Sequence, residues 1–315
     1  MTPDISIIIP VYNTAAYLPA TIASLQASDD DITYEFVCVD DGSDDESLSI
    51  LQSWADTDPR VVVLTQPNQG QSVARNTAIS NAHGRWIYCL DSDDIISHDA
   101  LSAAYAEASR LGVGLLLFSG DIIDESGRHI DEVANTIYTH QRYQRSEELP
   151  GNKVMTGTEV MTILLRTFSF RAVPWLYLID AEFLKSTGIV FRPGIIHEDE
   201  LFTATLIMSC HSVATLHRTL IHHRIRRSST MGATFSRRNM DCYLTVIDGV
   251  QEWLHDNPSH RQTAWRYCAY TLNHVLITAR TLPWRDRLQT LRRITRSGYL
   301  PYLEPKRLLQ FIYGK

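Results

Sequence analysis

Lysine is scarce in this chain. Four occur in 315 residues and the first is Lys153, which excludes a Walker-type or Schiff-base lysine from the first 152 residues. Cysteine is thin as well: Cys38, Cys89, Cys210, Cys242 and Cys268 are scattered, without a CxxC pair. They read as reduced thiols of a cytoplasmic protein, and no structural zinc site is expected. Long apolar runs are missing. SIIIPVY and VGLLLF fall far short of the ~20 residues that span a bilayer. The chain does not open on a basic stretch followed by an apolar one, so no secretory signal is expected. Positive charge is in deficit too, with a net charge of −7 at pH 7, which argues against a protein built to coat nucleic acid.

What is present is a globular composition, 44% hydrophobic and 21% charged, with enough apolar material for about two structural units. The first 120 residues alternate strand and helix signals. Apolar runs at Ile5 to Val11, Phe36 to Val39, Val61 to Leu64 and Trp86 to Leu90 read as buried parallel strands. Leu18, Ile22 and Leu25, then Leu48, Leu51 and Trp54, recur at helical spacing, and Ser72 to Ala82 reads as a helix with little bulk. The rhythm predicts an α/β fold, a Rossmann-like, mainly parallel sheet flanked by helices, in which ligands bind beyond the carboxyl ends of the strands. Residues 121–160 read as loops, Val213 to Arg227 as a strand running into a basic loop, and the chain beyond Ser236 as helices.

Two aspartate clusters, Asp40-Asp41-Gly42-Ser43-Asp44-Asp45 and Asp91-Ser92-Asp93-Asp94, fall at those strand ends. Like charges side by side repel, and a hard divalent cation with oxygen ligands offsets them. A solvated turn is the plainer reading of a lone DxD. Three acids within four positions, directly after an apolar strand, favour the cation. A haloacid-dehalogenase-like phosphatase also begins on a strand ending in DxD, and Gly120-Asp121-Ile122-Ile123-Asp124 resembles its later acidic motif. That enzyme needs a lysine between the two motifs, and none precedes Lys153. A nucleotidyltransferase is the other enzymatic alternative, but its Gly-rich cationic loop after the first strand is replaced here by VYNTAAYL.

The series SIIIPVYN, VDDGSDD, GQSVARN and YCLDSDD, continued by VPWLYL, IIHEDELF and HHRIRRSSTM, resembles the inverting glycosyltransferases of family 2, which have the GT-A fold. The likeness covers roughly residues 5–231. It implies a metal-dependent enzyme, using Mn²⁺ or Mg²⁺, that moves one hexosyl or N-acetylhexosaminyl unit from a UDP-sugar to a hydroxyl of a saccharide or lipid-linked saccharide. Pro10, Val11 and Tyr12 match the loop bordering base and ribose. Asp41, with Asp40 and Ser43 beside it, matches the acid that hydrogen-bonds uracil, and Arg75 and Asn76 match a segment packed beneath the nucleotide. Asp91 and Asp93 match the DxD, the first near the ribose and the second on the metal. Both are candidate metal ligands, and Ser92 between them is counted in the nucleotide site. Asp199 matches the general base, and Arg226 and Ser229 match a loop that closes toward the diphosphate. No QxxRW string occurs, which argues against a processive synthase and for single-sugar transfer in surface polysaccharide or glycolipid synthesis. A catalytically degenerate assembly partner is the non-enzymatic alternative, opposed by the intact Asp41, DxD and Asp199.

Structural readings stand beside these roles. Asp41 could cap a helix or turn, Arg75 could serve the aspartate cluster rather than a ligand, and Glu198 or Glu200 could take the base role. His197, His222 and His223 are candidate extra metal ligands, although a histidine near a strand end is more often a polar contact. Arg224 and Arg227 read as solvated, and Trp175 as core rather than a platform for a sugar. The chain is expected to divide into a nucleotide-sugar half (1–120), an acceptor-binding and catalytic half of the same domain (121–235) and a helical C-terminal region (236–315). From Trp284 onward eight cations face two acids. This +6 segment is either a peripheral anchor on an anionic membrane at the inner face of the cell, or a helix docked on acidic protein of the same or another subunit of a homo-oligomer.

Overall fold

A computed structural model describes residues 2–26, 32–131, 143, 148–226 and 235–314. Strands β1 (Ile5–Val11), β2 (Tyr34–Asp40) and β4 (Trp86–Cys89) are buried along their whole length, as continuous apolar runs in a sheet covered on both faces should be. With β3 (Val61–Thr65) they form a parallel block in the order β3-β2-β1-β4. Helices α1 (Leu18–Gln26), α2 (Ser47–Thr57) and α3 (Gln71–Ser80) lie between these strands in the chain. Helix α3 buries Ser72, Ala74, Arg75 and Ala78. The small side chains let it lie against β1 and β2 and carry Arg75 into the interior.

Beyond β4 the sheet continues through β7 (Tyr177–Asp180), β6 (Leu115–Ile123), β8 (Val213–Arg224) and the two-residue β5 (Ile95–Ile96). The sheet is mainly parallel, as expected, but not wholly so. Strand β7 runs antiparallel to both β4 and β6, and β5 antiparallel to β8, while β6 and β8 are parallel. Helices still alternate with strands beyond β4, but β7 is entered from a 3-10 turn at Pro174–Leu176 and runs against both of its neighbours, which makes the eight-stranded sheet mixed. Helix α4 (Ala100–Leu111) packs on β6 and β8.

In the stretch read as loop, 121–160, the described residues include regular elements. Asp121 to Ile123 complete β6, so the division expected at residue 120 cuts a strand. Helix α5 (Gly157–Arg166) opens on a reciprocal cap in which Thr156 and Glu159 each bind the other's backbone N–H. It starts hard against helix α7 (Glu198–Ser209): a Cβ on Gly157 would lie 1.6 Å from the Ile207 carbonyl oxygen, so only glycine fits. Helix α6 (Ala181–Thr187) precedes α7, which buries every residue from Phe202 to Met208.

Helices α8 (Arg237–Asp256) and α9 (Arg261–Ala279) pack on each other and on α7. Helices α10 (Trp284–Arg296) and α11 (Pro305–Tyr313) follow, docked through the fully buried Ile294 and Phe311. One cluster of buried apolar side chains runs from Ile5 to Phe311. Arg293 pairs with Asp248 at 2.8 Å and Asp241 at 3.5 Å, and Arg287 Nη1 donates to the Phe311 and Ile312 carbonyls. For Arg293 the docked reading of the basic segment holds, whereas Arg287 ties α10 to α11 within that segment. Trp284, Leu288, Leu309, Ile312 and Tyr313 stay exposed. No helix among the described residues is long and apolar enough to cross a membrane. All five cysteines are buried free thiols.

Candidate active site

The carboxyl ends of β1 and β2 carry the expected nucleotide residues. Pro10 and Val11 close β1, paired with Val39 and Asp40, and Tyr12 stands exposed just beyond. The loop after β1 is stitched to the loop after β2. The Asn13 N–H donates to Ser43 Oγ (3.1 Å), the Thr14 N–H to Ser47 Oγ (3.0 Å) and the Ala15 N–H to Asp45 Oδ2 (3.0 Å). Asp41 is buried and accepts from Gln66 Nε2 (2.7 Å), the Gln69 N–H (2.9 Å) and the Gly70 N–H (2.8 Å). It therefore organises the turn that starts α3, the structural role left open, and its Oδ2 takes one donor. Asp40 is buried beside it. Its Oδ2 accepts from the Ser43 N–H at 3.2 Å, and its Oδ1 meets no donor among the described residues. A buried acceptor without a donor costs free energy unless a ligand or water supplies one.

The four residues of the acidic string beyond β4, Asp91 to Asp94, do different work. Asp94, fully buried, accepts from the Arg224 N–H (2.8 Å) and from His223 Nδ1 (3.0 Å). Burial alone would lower His223, but the charge and hydrogen bond of Asp94, with Asp93 and Asp91 behind it, raise it to about 9. It is an imidazolium at neutral pH, and the core indole of Trp175 stacks on it with centroids 5.0 Å apart. Ser92 is buried and holds the loop: its Oγ accepts from Thr14 Oγ1 (3.0 Å) and its carbonyl from Thr21 Oγ1 (3.1 Å). Asp93 is buried as well. Burial, then Asp94 and Asp91, push its carboxyl up to about 7, against the pull of Arg226 and His223. Arg226 Nε lies 2.7 Å from Asp93 Oδ2, out of line for a hydrogen bond, and its guanidinium sits over the Tyr17 ring.

Arg224 corrects an expectation. Read as solvated, it is buried, with Nε donating to the Asp93 carbonyl (2.8 Å) and Nη1 to the Asp124 and Glu125 carbonyls (3.2 and 2.9 Å). The sequence showed only one arginine in a basic run, with nothing to tell an inward from an outward position. Ser229 and Arg227 lie outside the described residues.

Asp91 accepts from Gln71 Nε2 (3.1 Å) and from Arg75 Nη2 (2.7 Å). The same guanidinium donates through Nη1 to Glu198 Oε1 at 3.2 Å, at the first residue of α7. Arg75 is 3% exposed, so this is a buried fork between two carboxylates. Burial opposes its charge, and Asp91 and Glu198 more than restore it. Asn76, next in α3, exchanges two hydrogen bonds with the Phe191 backbone, whose ring lies under the guanidinium. One arginine thus ties the DxD loop to the acidic start of α7.

Three acids in the first turn of α7 complement the positive end of the helix. Glu198 is held by Arg75, and Glu200 accepts from the hydroxyl of Tyr267 on α9 at 2.8 Å. Asp199 stands between them. Its Oδ1 accepts from the Glu200 N–H at 3.0 Å, and it makes no ion pair among the described residues. Burial, then Glu198 and Glu200, raise its carboxyl well above the usual range, with Arg75 pulling the other way. Such a group is disposed to take up a proton. His197, just before the helix, has a left-handed backbone (φ 69°), stacks on Tyr243 of α8 at 4.2 Å and meets Asn239 through Nε2. Burial lowers it to about 4, so it is a neutral polar contact. Tyr243, Tyr267 and Asn239 escaped the sequence reading. They lie in plain helical periodicity, without a motif to mark them.

Residues 6–169, from β1 through α5, match the sequence profile described as glycosyl transferase family 2. The chain is 29% identical over 231 residues to the uncharacterized glycosyltransferase EpsJ of Bacillus subtilis, covering 71% of this chain and 62% of EpsJ. It is 33% identical over 128 residues to the succinoglycan biosynthesis protein ExoO of Rhizobium meliloti, covering 41% of this chain and 36% of ExoO. The matched stretches thus span less than two thirds of either relative. Among solved structures, S. aureus TarS 1-349 in complex with UDP-GlcNAc matches with a TM-score of 0.64 at 17% identity, over 99% of this chain and 92% of that one. The family profile takes in both aspartate clusters and just over half of the sequence, so the chain belongs to glycosyl transferase family 2 and has the GT-A fold.

Proposed function

We propose that this glycosyltransferase moves a single hexosyl or N-acetylhexosaminyl unit from a UDP-sugar to a hydroxyl of a saccharide or lipid-linked saccharide, with inversion and with Mn²⁺ or Mg²⁺. The observation that carries the reading is the Arg75 fork, which holds a DxD carboxylate and the acidic turn of α7 on one guanidinium. On this reading donor and base machinery are neighbours.

The residues present fit a divalent cation. Asp93, buried against Asp94 and Asp91 and pushed up to about 7, gains from a further positive charge, and its oxygen donors suit a hard ion. Asp93 and Asp91 would hold it. When bound, the ion stabilises the charge that grows on the departing diphosphate. Arg226, beside Asp93, adds a guanidinium for phosphate oxygens. Tyr12, Val11 and Pro10 border the base and ribose, and the orphan Asp40 Oδ1 with Asp41 Oδ2 accepts their N–H and O–H groups. Asp199 accepts the proton of the attacking hydroxyl, and one displacement inverts the anomeric centre. The UDP-GlcNAc and UDP held by TarS support a UDP-sugar, and the name of ExoO supports work on a surface polysaccharide. On this reading residues 1–120 serve the donor and 121–235 the acceptor.

Calorimetry of UDP with Mn²⁺ tests the core of this reading. Wild type is expected to bind UDP only weakly without the ion, and Asp93→Ala to weaken the Mn²⁺-dependent affinity at least about tenfold. Because a proton competes for Asp93, that affinity should also fall roughly tenfold per pH unit below about 7. A UDP-sugar panel scored by UDP release then identifies the donor. Full turnover in excess chelator would sink the metal assignment.

A further inference from the structure

Away from the DxD loop, β6 and β8 bring together three side chains that the reaction above does not use. Asp121 on β6 is directly opposite His222 on β8, and their side chains meet at 2.6 Å, Oδ1 to Nδ1. After β6 the chain turns tightly. Asp124 Oδ1 accepts from the Ser126 and Arg128 N–H groups, and Gly127 has φ +85°. The return segment then pairs His129 against Ile123. Ile123 and Asp121 are two apart on one strand and so share a face, which brings His129 Nδ1 to 3.1 Å from Asp121 Oδ2. The two imidazole rings stand perpendicular, centroids 4.9 Å apart, and converge on one carboxylate that is 5% exposed.

The second nitrogen of His222 defines the electronics. Its Nε2 lies 3.1 Å from Ser97 Oγ, which also lies 3.4 Å from the Thr219 carbonyl. A hydroxyl has one proton. Given to Thr219, it leaves the Ser97 oxygen to accept from Nε2–H, and Nδ1 then points a lone pair at Asp121. Two electron-rich atoms that close hold a proton between them, and a metal ion would take the proton's place as the atoms part to the roughly 3 Å that two ligand bonds of about 2.0 Å require.

We propose that Asp121, His129 and His222 form a site for a divalent transition-metal ion of the Zn²⁺ kind, separate from Asp91 and Asp93. Two imidazoles and a carboxylate form a catalytic-type or regulatory zinc donor set, with Ser97 as the outer-shell partner that orients one ligand. Such donors favour Zn²⁺, Co²⁺ or Ni²⁺ over Mg²⁺ and Mn²⁺, whereas the DxD offers oxygen alone. His129 is exposed at 64% of its side chain, which leaves an entry path and room for water as a further ligand. The expectation of no structural zinc site rests on scattered cysteines, and no thiolate takes part here. The ion would pin the turn at 124–128 to β8. Arg224 already binds that turn through the Asp124 and Glu125 carbonyls and the DxD loop through the Asp93 carbonyl.

The test uses full-length, tag-free protein stripped with chelator and titrated with Zn²⁺ in excess Mg²⁺, with Co²⁺ absorption as the report on geometry. Wild type is expected to bind one equivalent that Mg²⁺ does not displace, with the intense visible bands of low-coordinate Co²⁺. Outer-shell substitutions cost 10–100-fold in affinity, so His129→Ala, which removes a ligand, should cost at least about 100-fold. Its unliganded thermal midpoint should match wild type because the side chain is exposed, and His222→Gln repeats the test from the inner ligand. Asp93→Ala should keep the site. Unchanged Zn²⁺ affinity in His129→Ala and His222→Gln would overturn the proposal, as would loss of the site in Asp93→Ala.

Discussion

On the proposed function, Asp199 is a carboxylate prepared for proton transfer by its neighbours rather than by its own contacts. Glu198 and Glu200 are each committed, to Arg75 and to Tyr267. Their charge raises the group between them, which is already disfavoured by burial. The sign for stability follows. The neutral acid is favoured in the fold, so the stability it confers is full below the ordinary carboxylate value and is lost as pH rises through the raised one. At neutral pH the ionised form is a cost. Asp199→Asn should therefore slow transfer by ~10²–10⁴ while leaving UDP binding intact, and should raise stability by about 1 kcal/mol at pH 7. Steady-state rates and denaturant melts of the same preparation check both. Transfer near the wild-type rate would move the base to Glu198 or Glu200. In the active wild type, kcat/KM should climb with pH through a value well above the usual carboxylate range. At this scale the candidates Asp91, Asp93 and Asp199 are legible as dense acidic strings after a strand or at a helix start, and their roles come from the family resemblance. Arg224 was not legible, since burial is set by the partner strand.

Among the elements, α7 is the one whose position depends most on the rest of the chain. Its first turn is gripped from three directions: Arg75 of α3, Tyr243 and Asn239 of α8 through His197, and Tyr267 of α9. Tyr267→Phe removes one hydroxyl from a packed core position and leaves the donor loops untouched. It should lower kcat severalfold with unchanged UDP affinity, and cost about 1 kcal/mol of stability. Equal losses in kcat and UDP binding would instead mean that α9 supports the whole fold. The parallel block was readable because fully buried strands are continuous apolar runs and their helices keep an apolar stripe. What followed β4 was harder to read. Strand β7 is four residues long, β5 is two, and such short elements carry too little periodicity to reveal their direction. The cap at Thr156 and Glu159 was available as a Thr-x-x-Glu string inside a stretch whose polarity read as loop.

For the molecule as a whole, the basic C-terminal segment has two faces. Ile294, Phe311 and the Arg293 ion pairs hold it to the body. Trp284 and Leu288 on α10, with Leu309, Ile312 and Tyr313 on α11, remain exposed near Arg285, Arg292, Arg296 and Lys306. Cations beside exposed apolar side chains bind anionic bilayers, with about 1 kcal/mol per cation near the surface. In flotation assays the full-length protein should rise with anionic liposomes at low salt and release at high salt. Arg285→Glu combined with Arg292→Glu should stay at the bottom of the gradient while keeping UDP binding. Full-length protein that ignores the liposomes would leave the segment with a purely structural role. The grip on α7 also bears on how the protein comes into being. Every residue of the donor loops through Asp93 leaves the ribosome before α7, and Tyr243 and Tyr267, which brace α7, emerge later still. On the proposed function, a growing chain can therefore complete its parallel block and close around a nucleotide while its acidic turn is still unsupported. Nascent enzyme should pass through a stage that captures donor but cannot spend it, until the last helices arrive.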